Sequence, residues 1–180
     1  MKTPRNCETS PTVIVRHEAD SDPPEIHRVH EAAFGRREEA DLVDALRGAS
    51  ALEISLVAMA GGRVVGHVAF SPVVVEMGGG AWTALGLGPV GVLPEFQGMG
   101  IGSALCREGL RAARAAGGEV VVVLGHPGFY ARLGFVSAAE WGISCEYPAA
   151  EGVFRVSELV PGALGGRRGL VRYRPEFRGV

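Results

Sequence analysis

A glycine-rich segment, residues 85–105, constrains the fold of this chain more than any other part of the sequence. It reads LGLGPVGVLPEFQGMGIGSAL and contains six glycines. Its apolar first half, its glycine turn and the small apolar run that follows predict a strand, a tight turn and a helix. The first amides of a helix have no partner inside the helix, and together with the helix dipole they form an anion site. The segment therefore predicts a site for a phosphate-bearing ligand at the start of the helix.

Two common phosphate-binding motifs do not fit this turn. A P-loop requires a lysine after its last glycine, and the segment contains no lysine. A dinucleotide fingerprint requires G-x-G-x-x-G, but its last position falls on Ser103 when counted from Gly98 and on Leu105 when counted from Gly100. The sequence also predicts helices and antiparallel strands before the turn, instead of an early β-α-β unit. A nucleotide-binding oxidoreductase is therefore disfavoured.

The pattern along the whole chain predicts one α+β domain over residues 1–180, with residues 1–11 flexible. The Gly61-Gly62 pair between two apolar runs predicts a hairpin. Helices are predicted over residues 22–35, 38–47, 100–116 and 128–133. Strands are predicted over residues 12–16, 53–60, 63–70, 82–92, 119–124, 135–137 and 153–159, with an edge strand over 170–173 and residues 73–77 as an extension or a further arm. Their order predicts a mixed, mostly antiparallel sheet flanked by helices.

Composition and charge exclude several classes of partner. The net charge is −2, so no basic field predicts binding to nucleic acid. The longest uncharged stretch, residues 77–94, contains six glycines and two prolines, which favours a strand pair over a membrane helix. The N-terminus carries no apolar stretch typical of a secretory signal, and three widely spaced cysteines form no disulfide framework. We expect a cytoplasmic protein.

Two motifs in this sequence resemble one family. Residues 90–102, VGVLPEFQGMGIG, resemble the acetyl-CoA motif of the GNAT superfamily of N-acetyltransferases, with Gln97, Gly100 and Gly102 in its fixed positions. Downstream, residues 129–135, FYARLGF, resemble the Y-x-x-x-G-F signature of the same family. The closing run, residues 158–164 together with Tyr173 and Phe177, is similar to a bacterial subgroup of predicted acetyltransferases, so the resemblance covers residues 12–177. It implies the GNAT fold, in which two central strands splay apart.

The resemblance implies that the pantetheine arm of acetyl-CoA enters the gap between these strands. Free backbone groups of Val90, Gly91 and Val92 would bind the arm, and one N–H there would polarise the thioester carbonyl. The Gly88-Pro89 pair supports this independently, because proline gives no N–H to a strand ladder and glycine often marks a bulge.

The family motif also implies how the pyrophosphate is held. The Gln97 side chain would close over it, and the Ser103 hydroxyl would add a hydrogen bond. The backbone amides implied in binding are those of Gly98, Met99, Gly100, Ile101 and Gly102. Acetyl-CoA is therefore the expected cosubstrate.

The resemblance further implies transfer of an acetyl group from the thioester to a primary amine by direct attack in a ternary complex. Tyr130 resembles the general acid of the family, since a phenol can donate a proton to the departing thiolate; a packing tyrosine beside two phenylalanines is the alternative. Where many members carry an asparagine before this tyrosine, this chain reads Gly125-His126-Pro127-Gly128. The general base stays open among a water chain and five side chains: Glu31, Glu39, Glu76, His67 and Glu158.

Other interpretations of the same residues remain. The chain is alternatively a non-catalytic module that binds or senses acyl-CoA. Cys106 fits a small core residue better than a covalent acetyl carrier. His27 and His30 share a helix face but have no matching third ligand, so no metal is expected. The acceptor is a small-molecule or peptide amine, and a homodimer is possible.

Overall fold

One mixed sheet organises residues 12–180, the part of the chain that the computed structural model describes. The predicted flexible segment, residues 1–11, lies outside the described residues. The nine strands found there are β1 (Val13–His17), β2 (Ile54–Ala60), β3 (Arg63–Met77), β4 (Gly80–Val92), β5 (Val120–Leu124), β6 (Val136–Ser137), β7 (Ile143–Cys145), β8 (Phe154–Glu158) and β9 (Gly169–Arg172). Their order is β1-β2-β3-β4-β5-β8-β6, with β9 between β3 and β7. All pairs are antiparallel except β4 with β5 and β7 with β9, which confirms the predicted α+β class.

Four helices flank this sheet within the same residues. They are α1 (Pro23–Phe34), α2 (Glu38–Gly48), α3 (Ile101–Ala115) and α4 (Pro127–Ala131). Prolines at its first positions favour the start of α1, and Gly35 ends it in a left-handed conformation. Acidic residues in the first turn and Arg47 in the last suit the dipole of α2. Within residues 12–180, no helix has the length and apolar character to cross a membrane.

Helices α1 and α3 cover opposite faces of the sheet. A Cβ at Gly66 of β3 would contact Leu105 and Ile101 of α3, whereas a Cβ at Gly91 of β4 would contact His30 of α1. Gly66 and Gly91 belong to neighbouring pairs of the β3–β4 ladder, so they point to opposite faces.

Strand β4 pairs with β3 along its length but loses its other partner, β5, partway. It pairs with β5 only at Leu85 and Gly86, while its pairing with β3 continues to Val92. Two residues of β4, Gly88 and Pro89, lie opposite the single residue Ala69 of β3 and form a β-bulge. A cis peptide bond joins these two residues. Gly88 has φ +148°, a conformation that side chains rarely adopt. The carboxyl ends of β4 and β5 therefore separate, as the predicted splay required.

The structure decides one open detail of the predicted sheet and corrects two others. Residues 73–77 extend β3 into one strand of 15 residues. The predicted edge strand at the C-terminus, β9, lies between β3 and β7 instead of at an edge. Strand β7 was not predicted, because its three residues, Ile143–Cys145, are too short to show a period.

Candidate active site

A cleft of about 810 Å³ opens where β4 and β5 separate. Val90 and Val92 line one wall from β4, and Leu124 and Gly125 line the other from the end of β5. His126, which stands where the family pattern carries an asparagine, also lines this cleft. Because these strand ends no longer pair with each other, their facing backbone groups are available to an extended ligand. The cleft is therefore shaped to receive a narrow chain between two strands.

A second cavity, of about 320 Å³, adjoins the cleft at the start of α3. Gly100 caps the helix with φ 81°, a left-handed conformation suited to glycine. The first bond of the helix runs from the Ala104 amide to the Gly100 carbonyl at 3.0 Å. The amides of residues 101–103 therefore have no partner inside the helix, and such free amides at a helix start can bind an anion. The predicted residues lining this cavity are Gln97, Gly98, Gly100, Ile101, Gly102 and Ser103.

Three predicted binding residues behave differently from the expectation. The Gln97 side chain does not lie free over the cavity but donates through Nε2 to the Val92 carbonyl at 3.0 Å, which ties the turn to the end of β4. Met99 is 61% exposed and lines neither cavity. Gly91 lines neither cavity because successive strand residues face opposite sides, and its Cα faces His30.

Arg132 is a residue that the sequence reasoning missed. It lines the cavity at the start of α3 and is the charged side chain there. It lies three residues after Phe129, which also lines that cavity, so both come from one turn around α4. The FYARLGF motif contained this signal, since positions three apart share a helix face. A guanidinium at this place suits a phosphate.

Tyr130 lies on α4 with its ring in the wall of the cleft. The residue is 8% exposed, and its ring makes edge contacts with Phe129 and Phe135 at centroid distances of 4.9 and 5.6 Å. Gly125 leaves room for the ring, because a Cβ there would lie 3.0 Å from Cδ2 of Tyr130 and closer still to Cε2. Burial raises the pKa of the phenol well above its usual range, so the hydroxyl stays protonated.

Cys106 does not have the properties of a covalent carrier. It is fully buried in the core and lines neither cavity. Burial raises the pKa of its thiol to about 12, whereas a nucleophilic cysteine needs its thiolate form. The core position predicted for Cys106 is thus the one observed.

Of the five candidates for a general base, Glu39 lies in the wall of the cleft. Its side chain is 6% exposed and accepts hydrogen bonds from the Arg36 guanidinium. Glu31 is exposed and lines neither cavity. The structure therefore brings Glu39, and not Glu31, to the same surface as Tyr130.

Two further candidates are committed elsewhere. Glu76 accepts a hydrogen bond from Arg172 Nε at 2.9 Å, near the far end of β3. Glu158 accepts hydrogen bonds from the amides of Gly162 and Leu164, at 3.2 and 2.6 Å. Neither lines the cleft.

The last candidate, His67, belongs to a buried polar chain. Its Nδ1 lies 2.8 Å from Nε2 of His30, and its Nε2 lies 2.9 Å from Oγ of Ser55. Ser55 donates to Glu18, which pairs with Arg47 Nε at 2.6 Å. Nδ1 of His30 is buried with no hydrogen-bond partner among the described residues. Within residues 12–180, no three His, Cys, Asp or Glu side chains are grouped to hold a metal ion.

Four rings line the other end of the cleft, and we call them the aromatic wall: Phe34, Tyr147, Tyr173 and Phe177. The Tyr147 and Tyr173 rings are 5.6 Å apart, and those of Tyr173 and Phe177 are 5.0 Å apart. Phe177 also packs with Leu42 on α2, so the C-terminal residues and α2 form one surface. The sequence reasoning used Tyr173 and Phe177 only as part of the family resemblance, and it missed Tyr147.

Similarity to known proteins identifies the family of this chain. The sequence model of the acetyltransferase (GNAT) domain matches residues 15–138. The Escherichia coli K12 protein named uncharacterized N-acetyltransferase YhbS is 37% identical over 166 residues, which cover 92% of this chain and 98% of the relative.

Two crystal structures support the same relationship. GNAT family N-acetyltransferase YhbS from Escherichia coli, in complex with CoA, matches with a TM-score of 0.88 and 36% identity, covering 96% of both chains. A GNAT family acetyltransferase from Brucella melitensis, in complex with acetyl-CoA, matches with a TM-score of 0.76 and 40% identity, covering 93% of this chain and 99% of that chain. The resemblance carried by the two sequence motifs is thus confirmed. The chain belongs to the GNAT family of N-acetyltransferases.

Proposed function

We propose that this chain moves the acetyl group of acetyl-CoA to a primary amine by direct attack in a ternary complex. The observation that carries the proposal is a pair of adjoining cavities, one where β4 and β5 separate and one at the start of α3. They lead from the free amides at the start of α3 past Tyr130 to α1 and α2. One continuous groove can therefore hold a phosphate, a reacting carbonyl and an amine.

The residues present fit acetyl-CoA. Free helix amides, the Ser103 hydroxyl and the Arg132 guanidinium suit the pyrophosphate. The edge of β4 from Val90 to Val92, which does not pair with β5, suits the amide groups of pantetheine. The Escherichia coli and Brucella relatives described above are complexes with CoA and acetyl-CoA, which supports the same ligand here.

The chemistry then follows from the side chains around the cleft. Acetyl-CoA, when bound, supplies the thioester carbonyl carbon that the amine attacks. A backbone N–H between Val90 and Val92 would stabilise the negative charge that develops on the carbonyl oxygen. Tyr130 would hold a proton for the departing sulfur, and its raised pKa keeps the hydroxyl protonated at neutral pH. Tyr130 would give its proton to the sulfur as the C–S bond breaks. The nitrogen, once bonded to the carbonyl carbon, would release one proton that returns to the Tyr130 oxygen, directly or through water. The products would then be the amide, the CoA thiol and a protonated Tyr130.

Ligand binding and turnover can be tested separately. At a concentration of about 100 times Kd, acetyl-CoA should raise the melting temperature by about 5–10 °C, and NAD should leave it unchanged. Release of the free CoA thiol on addition of an amine then distinguishes an enzyme from a module that only binds acyl-CoA. Stabilisation by NAD without stabilisation by acetyl-CoA would contradict the proposal.

The role of Tyr130 is tested by removing one oxygen atom. Tyr130→Phe should lower kcat by about 100-fold or more while the Kd of acetyl-CoA stays nearly constant, because a general acid acts only in the chemical step. Tyr173→Phe tests the other buried phenol of the same cleft. Unchanged turnover in Tyr130→Phe, or a larger loss in Tyr173→Phe, would reassign the acid.

A further inference from the structure

Glu39 brings a carboxylate to the wall of the cleft although its side chain is only 6% exposed. Arg36, which is 51% exposed and does not line the cleft, donates through Nε to both carboxylate oxygens at 3.1 Å. A second guanidinium nitrogen of Arg36 donates to one of the same oxygens. A carboxylate offers about four acceptor positions, so a donor inside the cleft can still bind to Glu39.

The surroundings of Glu39 are apolar and aromatic. Phe34 on α1, Leu42 on α2 and the rest of the aromatic wall line the same cleft as Glu39. The Phe34 ring is 42% exposed and stacks on His30 at a centroid distance of 6.0 Å, which fixes its orientation. Exposed ring faces beside a carboxylate attract an alkylammonium group through the ring quadrupole as well as the charge. This end of the cleft therefore favours a cation with an apolar substituent.

Within the described part of the chain, the cleft offers no permanently charged cation to an anion, and the imidazole that lines it is that of His126, directly after Gly125 at the end of β5. Among residues 12–180, none of the side chains that line it is an arginine or a lysine. Arg132 lines the other cavity, at the start of α3, where the pyrophosphate is proposed to bind. An amine that carries its own carboxylate or phosphate would bring a negative charge beside Glu39, where no guanidinium or ammonium group of the described cleft lining would offset it.

We infer that the acceptor is a primary amine without an acidic group, whose ammonium binds Glu39 and whose aromatic or branched apolar substituent packs on the aromatic wall. This inference rests on the proposed function, because it assumes that the free end of the cleft is the acceptor site. Glu39 acts here as a specificity-determining residue. It selects for a positive charge and against a negative one, and the bound ammonium must release one proton to solvent before its nitrogen attacks the thioester.

Matched pairs of amines test the inference on the unmodified chain. Phenethylamine and phenylalanine differ by one carboxylate, as do isoamylamine and leucine. With saturating acetyl-CoA, we expect kcat/KM from CoA release to be at least about 100-fold higher for the amine than for the amino acid in each pair. Calorimetric binding of the same compounds to the CoA-loaded chain should give the same order, whether or not turnover occurs.

Two variants on the same helix isolate the charge of Glu39. Glu39→Gln keeps the shape of the side chain and should raise KM for phenethylamine by about 10-fold or more. It should also lower the ratio of kcat/KM for phenethylamine to kcat/KM for phenylalanine. Glu38→Gln removes the adjacent, exposed carboxylate. It should leave KM for phenethylamine and this kcat/KM ratio within about twofold of the unmodified chain. A melting-temperature rise with acetyl-CoA checks that each variant is folded.

The outcomes separate this inference from the proposed function. Binding and turnover of phenylalanine equal to those of phenethylamine would overturn the substrate class while leaving acetyl transfer intact. Preference for a peptide bearing a lysine over both amines would overturn it as well. Tight binding of phenethylamine without release of CoA would support the acceptor site and contradict the transferase mechanism.

Discussion

Acidification should destabilise this protein through the buried histidine pair. His30 and His67 are fully buried, and burial is the main reason that both imidazoles have lowered pKa values. For His30 the pKa falls from 6.5 to about 4, with the Arg47 guanidinium adding to the effect and Asp44 opposing it. The unfolded chain therefore binds more protons than the folded chain between pH 6.5 and 4. Stability is full above this window and falls as the pH falls through it.

The magnitude follows from the size of the shift. Each unit of pKa difference corresponds to about 1.4 kcal/mol, so His30 alone should contribute a loss of about 3 kcal/mol across the window. His67 should add a loss of the same sign, because its pKa is also lowered by burial and by the neighbouring His30. Such a loss is a large fraction of the roughly 5–15 kcal/mol that stabilises a typical domain.

Urea unfolding at pH 7, 6, 5 and 4.5 and at constant ionic strength measures this loss. The decisive comparison is between the unmodified chain and His30→Gln. The titrating groups are common to both apart from His30 itself and its neighbour His67, whose pKa His30 helps to lower. The variant should lose less stability on acidification, so the difference between the two should shift by about 2–3 kcal/mol. His17→Gln, which changes an exposed imidazole on β1, should follow the unmodified chain. Parallel curves for the unmodified chain and His30→Gln would refute the reasoning.

Two glycine substitutions test close contacts with rings. Gly125→Ala should lower kcat by about 10- to 100-fold with little change in acetyl-CoA affinity, since the new Cβ must displace the Tyr130 ring; equal kcat would show that the ring position is unimportant. Gly109→Ala should reduce the free energy of unfolding by about 1–3 kcal/mol, because its Cβ would lie 2.7 Å from Cζ of Phe70. Gly48→Ala, with nothing within 4 Å, is the matched control in urea unfolding and should show no such loss.

Local chemistry explains what the sequence predicted well. The strand, turn and helix over residues 85–105 are encoded by neighbouring residues, so β4 and α3 were predicted within two residues of their observed ends. The predicted bulge at Gly88-Pro89 is present for the same reason. Elements whose stability comes from partners distant in the sequence were harder to predict. Strand β7 is an example, because it forms by pairing with β9.

The site residues that sequence reasoning missed or left open depend on tertiary contacts. Glu39 and Tyr130 are far apart in the sequence, and only the packing of α2 and α4 around one cleft brings them together. His30 and His67 are separated by 37 positions, and nothing in either segment indicates that Nε2 of His30 lies 2.8 Å from Nδ1 of His67. Spacing within one element reveals a shared face, but it does not reveal which two faces will meet.

The glycines of β4 show that closely spaced glycines in one strand can have different structural roles. The spacing of Gly86, Gly88 and Gly91 suggests one role, a loosened strand, but only Gly88 lies in the bulge. Gly86 still pairs with β5, and a Cβ there would lie 3.2 Å from the Tyr173 ring. A Cβ at Gly91 would lie 2.9 Å from Nδ1 of His30. Two of the three glycines therefore make room for rings, so alanine at Gly86 or Gly91 would act on its neighbours, whereas alanine at Gly88 would act on the backbone.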